Sequence, residues 1–477
     1  MRRDTPNPKA NKSILMIAYV IVGIFVCMAG YFGYFLQVKS DSLINNSYNA
    51  RLDSFADRIV RGDILSSDGN ILARTKVSDD GTEIREYPFG AVFTHVVGYS
   101  DHGKSGLEAL ANFYLLSSHV NPVEKTMNEL SDIKNPGDSV FTTLDAELQQ
   151  TAYDALGERK GAVVVMEPDT GKILAMVSRP GYDPNTLASD WDMLISGDNK
   201  EAQLLNRASQ GVYPPGSTFK IVTMLEYIRE HPDDWRSYTF DCDGQYELGE
   251  YTISCYHGNA HGNQTLEQAF ANSCNGAFAS LGLELNLGGM KTLTDQLLFN
   301  AQLPVALAYS KSSYAMGTAA DTWEILQTSI GQGATQMTPL HNAMVTAAIA
   351  NGGVLMKPYL IDRVENVLGE EVKKFLPASA GSLMTAAEAD TLSGLMRQVV
   401  TEGTGSAVRT DDYAVAGKTG SAEFEKDRET HAWFTGFAPA DDPQLVVTVL
   451  VEESGSGGQV AAPIARSLFD VWFSRQR

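Results

Sequence analysis

The sequence has 477 residues, of which 43% are hydrophobic and 20% are charged. This length is enough for two or three domains with buried cores. The formal net charge of -21 at pH 7 argues against a nucleic acid as the partner, because proteins that bind nucleic acids present a basic surface.

The N-terminal region has the pattern of a membrane anchor. Residues 1–13 carry four basic residues and one acid, whereas residues 14–36 contain no charged residue. Such a span is long enough to cross a hydrocarbon core about 30 Å thick. The positive-inside rule therefore predicts a cytoplasmic tail at 1–13, a transmembrane anchor at 14–36 and an extracytoplasmic remainder. A cleaved signal peptide is the alternative, but its apolar core is usually shorter.

Residues 37–150 are predicted to form a small mixed domain outside the membrane, which we call the pedestal. Asp68-Gly69 lies between apolar residues, a pattern that predicts a hairpin turn. Asp145 is a typical N-cap residue for the helical pattern at 146–156. A domain boundary is therefore predicted close to this helix.

Residues 151–477 combine strand and helix patterns that predict a second, larger domain. Two strand patterns come first, a mainly helical region follows, and three more strand patterns precede a last helix. The strand patterns lie at 161–167, 173–178, 413–417, 432–437 and 445–451, and the helical patterns lie at 190–340 and 463–473. This order predicts an α+β fold in which an antiparallel five-stranded sheet is flanked by helices.

The segment around Ser217 has the pattern of a nucleophile at the start of a helix. Two prolines and a glycine precede Ser217, and apolar residues follow it at helical spacing. Lys220 lies on the same face, one turn further along. A hydroxyl at the positive end of a helix, with an amine beside it, suits an activated nucleophile. A second Ser-x-x-Lys, from Ser131 to Lys134, lies in a polar segment and is predicted to be a solvated turn.

Two further motifs follow along the chain, one opening an apolar helical run and one at the end of a predicted strand. They are Ser273-Cys274-Asn275 and Lys418-Thr419-Gly420. With Ser217-x-x-Lys220 they make up the known signature of penicillin-binding proteins and related β-lactamases. The sequence resembles the class B penicillin-binding proteins over nearly all of the chain after the membrane span. Other segments that carry this resemblance include Arg61-Gly62, Asn206-Arg207-Ala208, Gly331-Gln332-Gly333 and Asn351-Gly352-Gly353.

The resemblance implies a peptidoglycan D,D-transpeptidase in the bacterial cell membrane, which forms a serine acyl-enzyme and is inhibited by β-lactams. Its implied partners are stem peptides ending in D-Ala-D-Ala and, through the membrane helix and the pedestal, a polytopic glycan polymerase. The implied catalytic residues are Ser217, Lys220 and Ser273, and the implied substrate-binding residues are Asn275, Lys418, Thr419, Gly420 and Ser421. No metal and no cofactor is implied.

These roles have physical reasons. Lys220 can act as a base only when it is neutral, and burial and the charge of Lys418 would both lower its pKa. Ser273 can relay the proton to the leaving amine, and Lys418 with Thr419 can bind a terminal carboxylate. By the resemblance, the backbone N–H groups of Ser217 and Ser421 form the oxyanion hole.

Two other functions stay open. A carboxypeptidase or β-lactamase would pass the acyl group to water instead of an amine. A non-catalytic β-lactam sensor or scaffold would not need the intact motifs that this sequence has. A triad of Ser217, His431 and Asp411 is disfavoured, because Lys220 already supplies a base.

Three of the four cysteines follow the membrane span, in a compartment where disulfides can persist. Cys242 and Cys255 flank a glycine-containing, hairpin-like stretch, and we predict a disulfide between them. Two free thiols are one alternative. Zinc bound with His257 and His261 is another, although the spacing fits no standard ligand pattern. Cys274 is predicted to be a packing residue.

Overall fold

The computed structural model describes residues 8–35, 56–424 and 428–475. Its first element is the helix Pro8–Tyr34. The 21 residues Ile14–Tyr34 are long and apolar enough to cross a membrane, and none of this stretch is buried against the rest of the chain. The chain therefore carries a helix suited to the predicted anchor. Most of the predicted tail and the start of the pedestal up to residue 55 lie outside the described residues.

A six-stranded mixed sheet organises the pedestal. In spatial order its strands are Glu371–Lys374, Ile361–Glu365, Ser139–Thr142, Ile64–Leu65, Ile71–Val77 and Glu83–Glu86. All neighbours are antiparallel except the central pair, which is parallel. The hairpin predicted at Asp68-Gly69 is confirmed, and Gly69 has φ +84°, a conformation that favours glycine. Two strands come from beyond residue 360, so the sheet joins both predicted domains.

Short elements complete the pedestal. They are the parallel strands Ile59–Val60 and Asn135–Pro136 and the helices Thr94–Val97, Gly106–Leu110, Asn112–Leu115 and Pro122–Leu130. The helix Ala146–Leu156 follows, and its N-cap is Asp145, whose side chain accepts a hydrogen bond from the backbone N–H of Leu148 at 2.8 Å. The predicted cap is thus confirmed.

The predicted five-stranded antiparallel sheet is also confirmed. In spatial order its strands are Ala416–Ala422, His431–Ala438, Leu445–Val451, Gly161–Met166 and Ile173–Arg179. Both faces are covered, because Val163 and Val165 pack into one hydrophobic core while Val164 and Met166 pack into another. We call Ala416–Ala422 the edge strand. It is longer than predicted and contains the whole Lys418-Thr419-Gly420 motif.

Helices cover both faces of this sheet. Ala146–Leu156 and Ala461–Ser474 pack on one face, and Pro339–Ala350 packs on the other. The remaining helices are Leu187–Leu194, Lys220–Glu230, Leu266–Ala271, Asn275–Glu284, Leu287–Gln296, Thr322–Ser329 and Ala386–Thr401. The short strands Val354–Met356 and Ser379–Ser382 form a separate antiparallel pair.

Two more antiparallel strand pairs form a small unit at residues 239–265, which we call the cysteine lobe. The pairs are Thr239–Cys242 with Gly262–Thr265, and Gln245–Leu248 with Tyr251–Ser254. The predicted Cys242–Cys255 disulfide is wrong for this structure, since both residues are free thiols with their sulfurs 3.6 Å apart. The sulfur of Cys255 lies almost as close to that of Cys274, at 3.8 Å. Three free thiols therefore lie together where the cysteine lobe meets Cys274.

Candidate active site

The short 3-10 turn Gly216–Phe219 carries Ser217 and packs against the edge strand. Gly216 has φ +52°, and its N–H donates to the carbonyl of Gly331 at 2.9 Å. Ser217 is half-buried, and the α-helix begins only at Lys220. The serine thus lies in a tight turn that leads into the helix, instead of within the helix as its first residue.

Lys220 is completely buried and has neutral partners. Its Nζ donates to the carbonyl of Ser273 and to Oδ1 of Asn275, each at 2.7 Å, and lies 3.4 Å from Oγ of Ser273. Burial lowers the pKa of Lys220 to about 8, because the charged amine loses its hydration and no carboxylate replaces it. A substantial fraction of this amine is therefore neutral near physiological pH.

Lys418 reaches the hydroxyl of Ser273 from the edge strand. Its Nζ donates to Oγ of Ser273 at 2.9 Å and to the carbonyl of Thr419 at 3.2 Å. Burial, and then the positive charge of Lys220, hold the pKa of Lys418 well below its ordinary value. Ser273 is consequently placed between two buried amines.

The backbone of Ser273 is held in an unusual conformation. Its φ is +56°, in the left-handed region that residues with a side chain rarely adopt. Such conformations persist only where the surroundings enforce them, and they are frequent at functional sites. The turn directs the carbonyl and the hydroxyl of Ser273 toward Lys220 at the same time.

The predicted site residues line one cavity of about 650 Å³. Its walls include Ser217, Ser273, Asn275, Thr419, Gly420 and Ser421, while Lys220 and Lys418 are buried beneath it. A Cβ atom on Gly420 would lie 3.2 Å from Cγ2 of Thr218 and 3.3 Å from the carbonyl of Pro215. The missing side chain therefore lets the edge strand pack on the Ser217 turn. The predicted role of Gly420 in substrate binding stays a prediction.

Within the part of the chain that the structure describes, no hydrogen bond joins the hydroxyl of Ser217 to the network of Lys220, Ser273, Asn275 and Lys418. Among the described residues, Nζ of Lys220 bonds to Ser273 and Asn275 and not to Ser217. Catalytic hydrogen bonds are often long in free enzymes and tighten when substrate binds. A direct proton transfer between these two side chains therefore stays a prediction.

Sequence reasoning missed two residues that shape the cavity. Oγ1 of Thr404 lies 2.6 Å from Oγ1 of Thr419 and fixes that hydroxyl. The amide of Gln332, in the orientation that satisfies both of its groups, donates to the carbonyl of Glu423 at 3.0 Å and accepts from its N–H at 3.1 Å. Gln332 lies in the Gly331-Gln332-Gly333 segment that carries the family resemblance, but no local pattern marked Thr404.

His431 does not form the triad that the sequence analysis disfavoured. Its ring stacks on Phe424 at 4.2 Å, and Nδ1 accepts a hydrogen bond from the N–H of Glu453 at 3.1 Å. Burial lowers the pKa of His431. It lines a neighbouring cavity of about 1070 Å³ that shares Asn275 and Gln332 with the first one.

Comparison with protein families finds two matching models. Residues 161–470 match the penicillin binding protein transpeptidase domain. Residues 61–140 match the penicillin binding protein A dimerisation domain. The first match alone spans more than half of the chain.

Among curated proteins, the chain is similar to the peptidoglycan D,D-transpeptidase PbpA of Mycolicibacterium smegmatis. The two are 33% identical, over 96% of this chain and 98% of the relative. The chain is also 30% identical to the peptidoglycan D,D-transpeptidase MrdA of Acinetobacter baumannii, over 81% of this chain and 66% of that relative.

Solved structures give the same result. The fold is similar to the D,D-transpeptidase domain of a peptidoglycan glycosyltransferase from Eggerthella lenta, with a TM-score of 0.79 and 34% identity over 88% of this chain and 99% of that one. It is equally similar to penicillin-binding protein A from M. tuberculosis in an imipenem acyl-enzyme complex, with a TM-score of 0.79 and 30% identity over 88% and 100% of the two chains.

Proposed function

Because the chain belongs to the penicillin-binding protein transpeptidases of class B, we propose that it is a peptidoglycan D,D-transpeptidase that acts through an acyl-enzyme on Ser217. The observation that carries this proposal is the pair of buried amines, Lys220 and Lys418, which meet at Ser273 beneath a cavity lined by Ser217. Two buried lysines without a carboxylate are costly to maintain, so they indicate a chemical role.

Acylation begins with the removal of a proton from Ser217. With a pKa of about 8, roughly a tenth of Lys220 is neutral at pH 7, which is enough for a general base close to the operating pH. The freed hydroxyl oxygen attacks the carbonyl carbon of the penultimate D-Ala. The backbone N–H groups of Ser217 and Ser421 are proposed to bind the oxyanion that forms.

Departure of the terminal D-Ala requires a proton on its nitrogen. Ser273 contacts both amines, so its hydroxyl can pass a proton from the lysine pair to the leaving group. Lys418 and Thr419 are proposed to bind the carboxylate of the substrate. Asn275 holds Lys220 through its oxygen and is proposed to orient an amide of the substrate.

The acyl group then passes to the amine of a second stem peptide, which forms the crosslink. The neighbouring cavity of about 1070 Å³ supports transfer over hydrolysis, because it continues from the first cavity and offers room for an acceptor strand. A β-lactam imitates the D-Ala-D-Ala end and leaves a stable acyl-enzyme. Incubation of the enzyme with a D-Ala-D-Ala stem peptide and an amine acceptor tests this, since a carboxypeptidase would give only the hydrolysed product.

The membrane helix is proposed to place the tail in the cytoplasm and the catalytic domain outside. We further propose that this helix and the pedestal bind a polytopic glycan polymerase, which would bring new glycan strands to the crosslinking site.

Labelling with a fluorescent penicillin tests the nucleophile directly. We expect one covalent adduct per chain in the wild type and none in Ser217→Ala. The matched control is Ser131→Ala, which removes the exposed serine of the other Ser-x-x-Lys and should label normally. Labelling of Ser217→Ala at the wild-type rate would contradict the proposal.

A further inference from the structure

A carboxylate lies where the two cavities of the site meet. Glu423 lines both the first cavity, of about 650 Å³, and the neighbouring cavity, of about 1070 Å³. Its side chain is exposed, and within the described part of the chain no cation pairs with it. The acylation chemistry gives this carboxylate no role, so another function for it can be sought in the second half of the reaction.

Glu423 continues the face of the edge strand that lines the first cavity. Side chains alternate along a strand, so every second residue lies on the same face. Thr419 and Ser421 line the first cavity, and Glu423 follows two residues after Ser421, just past the end of the strand. Two residues of extended chain span about 7 Å. The carboxylate therefore comes shortly after the backbone that is proposed to bind the oxyanion.

A second segment of the chain holds this position. The amide of Gln332 binds the backbone of Glu423 at both the carbonyl and the N–H, at 3.0 Å and 3.1 Å. The preceding residue, Gly331, accepts a hydrogen bond from the N–H of Gly216 in the Ser217 turn at 2.9 Å. The segment thus ties the end of the edge strand to the nucleophile turn. These hydrogen bonds use the backbone of Glu423 and leave its carboxylate available.

The other acidic groups of the neighbouring cavity already have cationic partners. Glu452 pairs with Arg207 at 2.8 Å, and Glu453 pairs with Arg428 at 2.7 Å. Among the described acidic residues that line this cavity, Glu423 alone has no such partner. The wall between the two cavities therefore offers one negative charge to a ligand.

The acceptor of the proposed transfer arrives as a cation. A primary amine of the lysine type has a pKa of about 10.4 and is an ammonium group at pH 7. Beneath the first cavity lie two buried amines, Lys220 and Lys418, and their protonated forms repel another positive charge. A carboxylate at the junction of the cavities can offset this repulsion and accept hydrogen bonds from the ammonium group.

We propose that Glu423 binds the ammonium group of the acceptor stem peptide where the neighbouring cavity opens into the first one. The role rests on the proposed transpeptidation and adds to it that the acceptor is selected as a cation. Glu423 acts on recognition, before the amine attacks the acyl group. The donor carboxylate, bound by Lys418 and Thr419, and the acceptor ammonium group are then recognised by opposite charges, so the ends of two stem peptides are not exchanged.

Transfer from a D-Ala-D-Ala stem peptide to two acceptors tests the proposal on the full-length chain in detergent. One acceptor is a stem peptide with a primary amine, and the other is hydroxylamine, which is uncharged at pH 7. We expect Glu423→Gln to raise the KM for the peptide acceptor roughly fivefold with little change in kcat, as expected for the loss of a partly exposed charged hydrogen bond. Transfer to hydroxylamine should not change.

The controls separate charge from shape. Glu423→Asp keeps the carboxylate and should retain part of the affinity for the peptide acceptor. Glu250→Gln removes an exposed carboxylate of the cysteine lobe that lines neither cavity, and it should behave as the wild type. On the wild type alone, added salt should raise the KM for the peptide acceptor and leave transfer to hydroxylamine unchanged.

Penicillin adduct formation on Ser217, measured for each variant, distinguishes the two ways to fail. A wild-type KM for the peptide acceptor in Glu423→Gln, together with a normal adduct, would overturn the role of Glu423 and leave the transpeptidase assignment intact. An equal loss for both acceptors would overturn it as well, because the carboxylate would then not recognise charge. A wild-type chain that forms no adduct would contradict the proposed function and this role with it.

Discussion

The pedestal and the catalytic site each bury ionisable side chains. In the pedestal an opposite charge lies beside the buried group, whereas in the catalytic site only neutral oxygens bond to it. In the pedestal, Glu108 is fully buried and accepts hydrogen bonds from Arg61 and Arg85, each at 2.7 Å. In the catalytic site, Lys220 and Lys418 are equally buried but bond only to neutral oxygens.

The groups that surround each buried side chain determine whether that side chain is charged. Burial pushes the pKa of Glu108 up, but the two guanidinium groups outweigh it and hold the pKa below its ordinary value, so the carboxylate stays charged. For Lys220, burial has the largest effect and outweighs the opposing influence of the Cys274 and Cys255 thiols, so its pKa falls to about 8. A paired charge contributes to structure, whereas a buried amine without a carboxylate partner is able to act as a base. The first three predictions below test this difference.

The largest effect is expected for Lys220→Met. Without a base at Ser217, the rate of acylation by penicillin should fall about 10³-fold, within the range typical of general-base catalysis. The measurement is the second-order rate of adduct formation, with Lys291→Met as the control, because Lys291 is an exposed residue paired with Asp295. An Lys220→Met rate within tenfold of the wild type would remove Lys220 from the mechanism.

The converse change is Glu108→Gln. It leaves two buried guanidinium groups without a counter-charge, so the free energy of unfolding should fall by about 3–5 kcal/mol. The acylation rate of the folded fraction should not change. Urea denaturation measures the loss, and Glu86→Gln is the control. Glu86 pairs with Arg74 and Lys76 but is one-third exposed, so solvent screens these ion pairs and its loss should cost far less than that of Glu108. Equal costs for the two variants would contradict the comparison.

The acylation rate should depend on pH in the direction set by Lys220. The neutral amine is the active form, so the rate should rise nearly tenfold per pH unit below pH 8 and level off above it. The stabilising contribution of Glu108 is complete above its ordinary pKa of 4.5 and is lost only as the pH falls through the lower folded-state pKa, so the pedestal stays intact over this range. Adduct formation measured from pH 6 to 9.5 checks this. A rate that is flat or that falls with rising pH would exclude a neutral lysine base.

The smallest effect is expected for Thr404→Val. This change removes the hydroxyl that fixes Thr419, and a lost hydrogen bond of about 1 kcal/mol corresponds to roughly a fivefold loss in carboxylate recognition. Apparent affinity for penicillin measures it, and Thr404→Ser should behave as the wild type. A stronger effect on the maximal rate than on affinity would assign Thr404 to the chemical step instead.

Local patterns alone predicted much of this protein. The five-stranded sheet, the Asp68-Gly69 hairpin and the Asp145 cap follow from side-chain periodicity and from backbone preferences that act over a few residues. The three motifs were identified by their match to the known signature of penicillin-binding proteins, and each is a short run with its own turn, helix or strand. Most of the residues that the motifs single out line one cavity, although their catalytic roles stay predictions.

The tertiary structure alone decided which distant groups meet. It placed Thr404 on Thr419, brought strands from beyond residue 360 into the pedestal sheet, and grouped Cys274 with Cys242 and Cys255 in place of the predicted disulfide. Contacts of this kind depend on how whole elements pack, and no periodicity within one element records its partner. Whether a buried lysine is paired or free, and hence whether it can serve as a base, is likewise a property of the assembled fold.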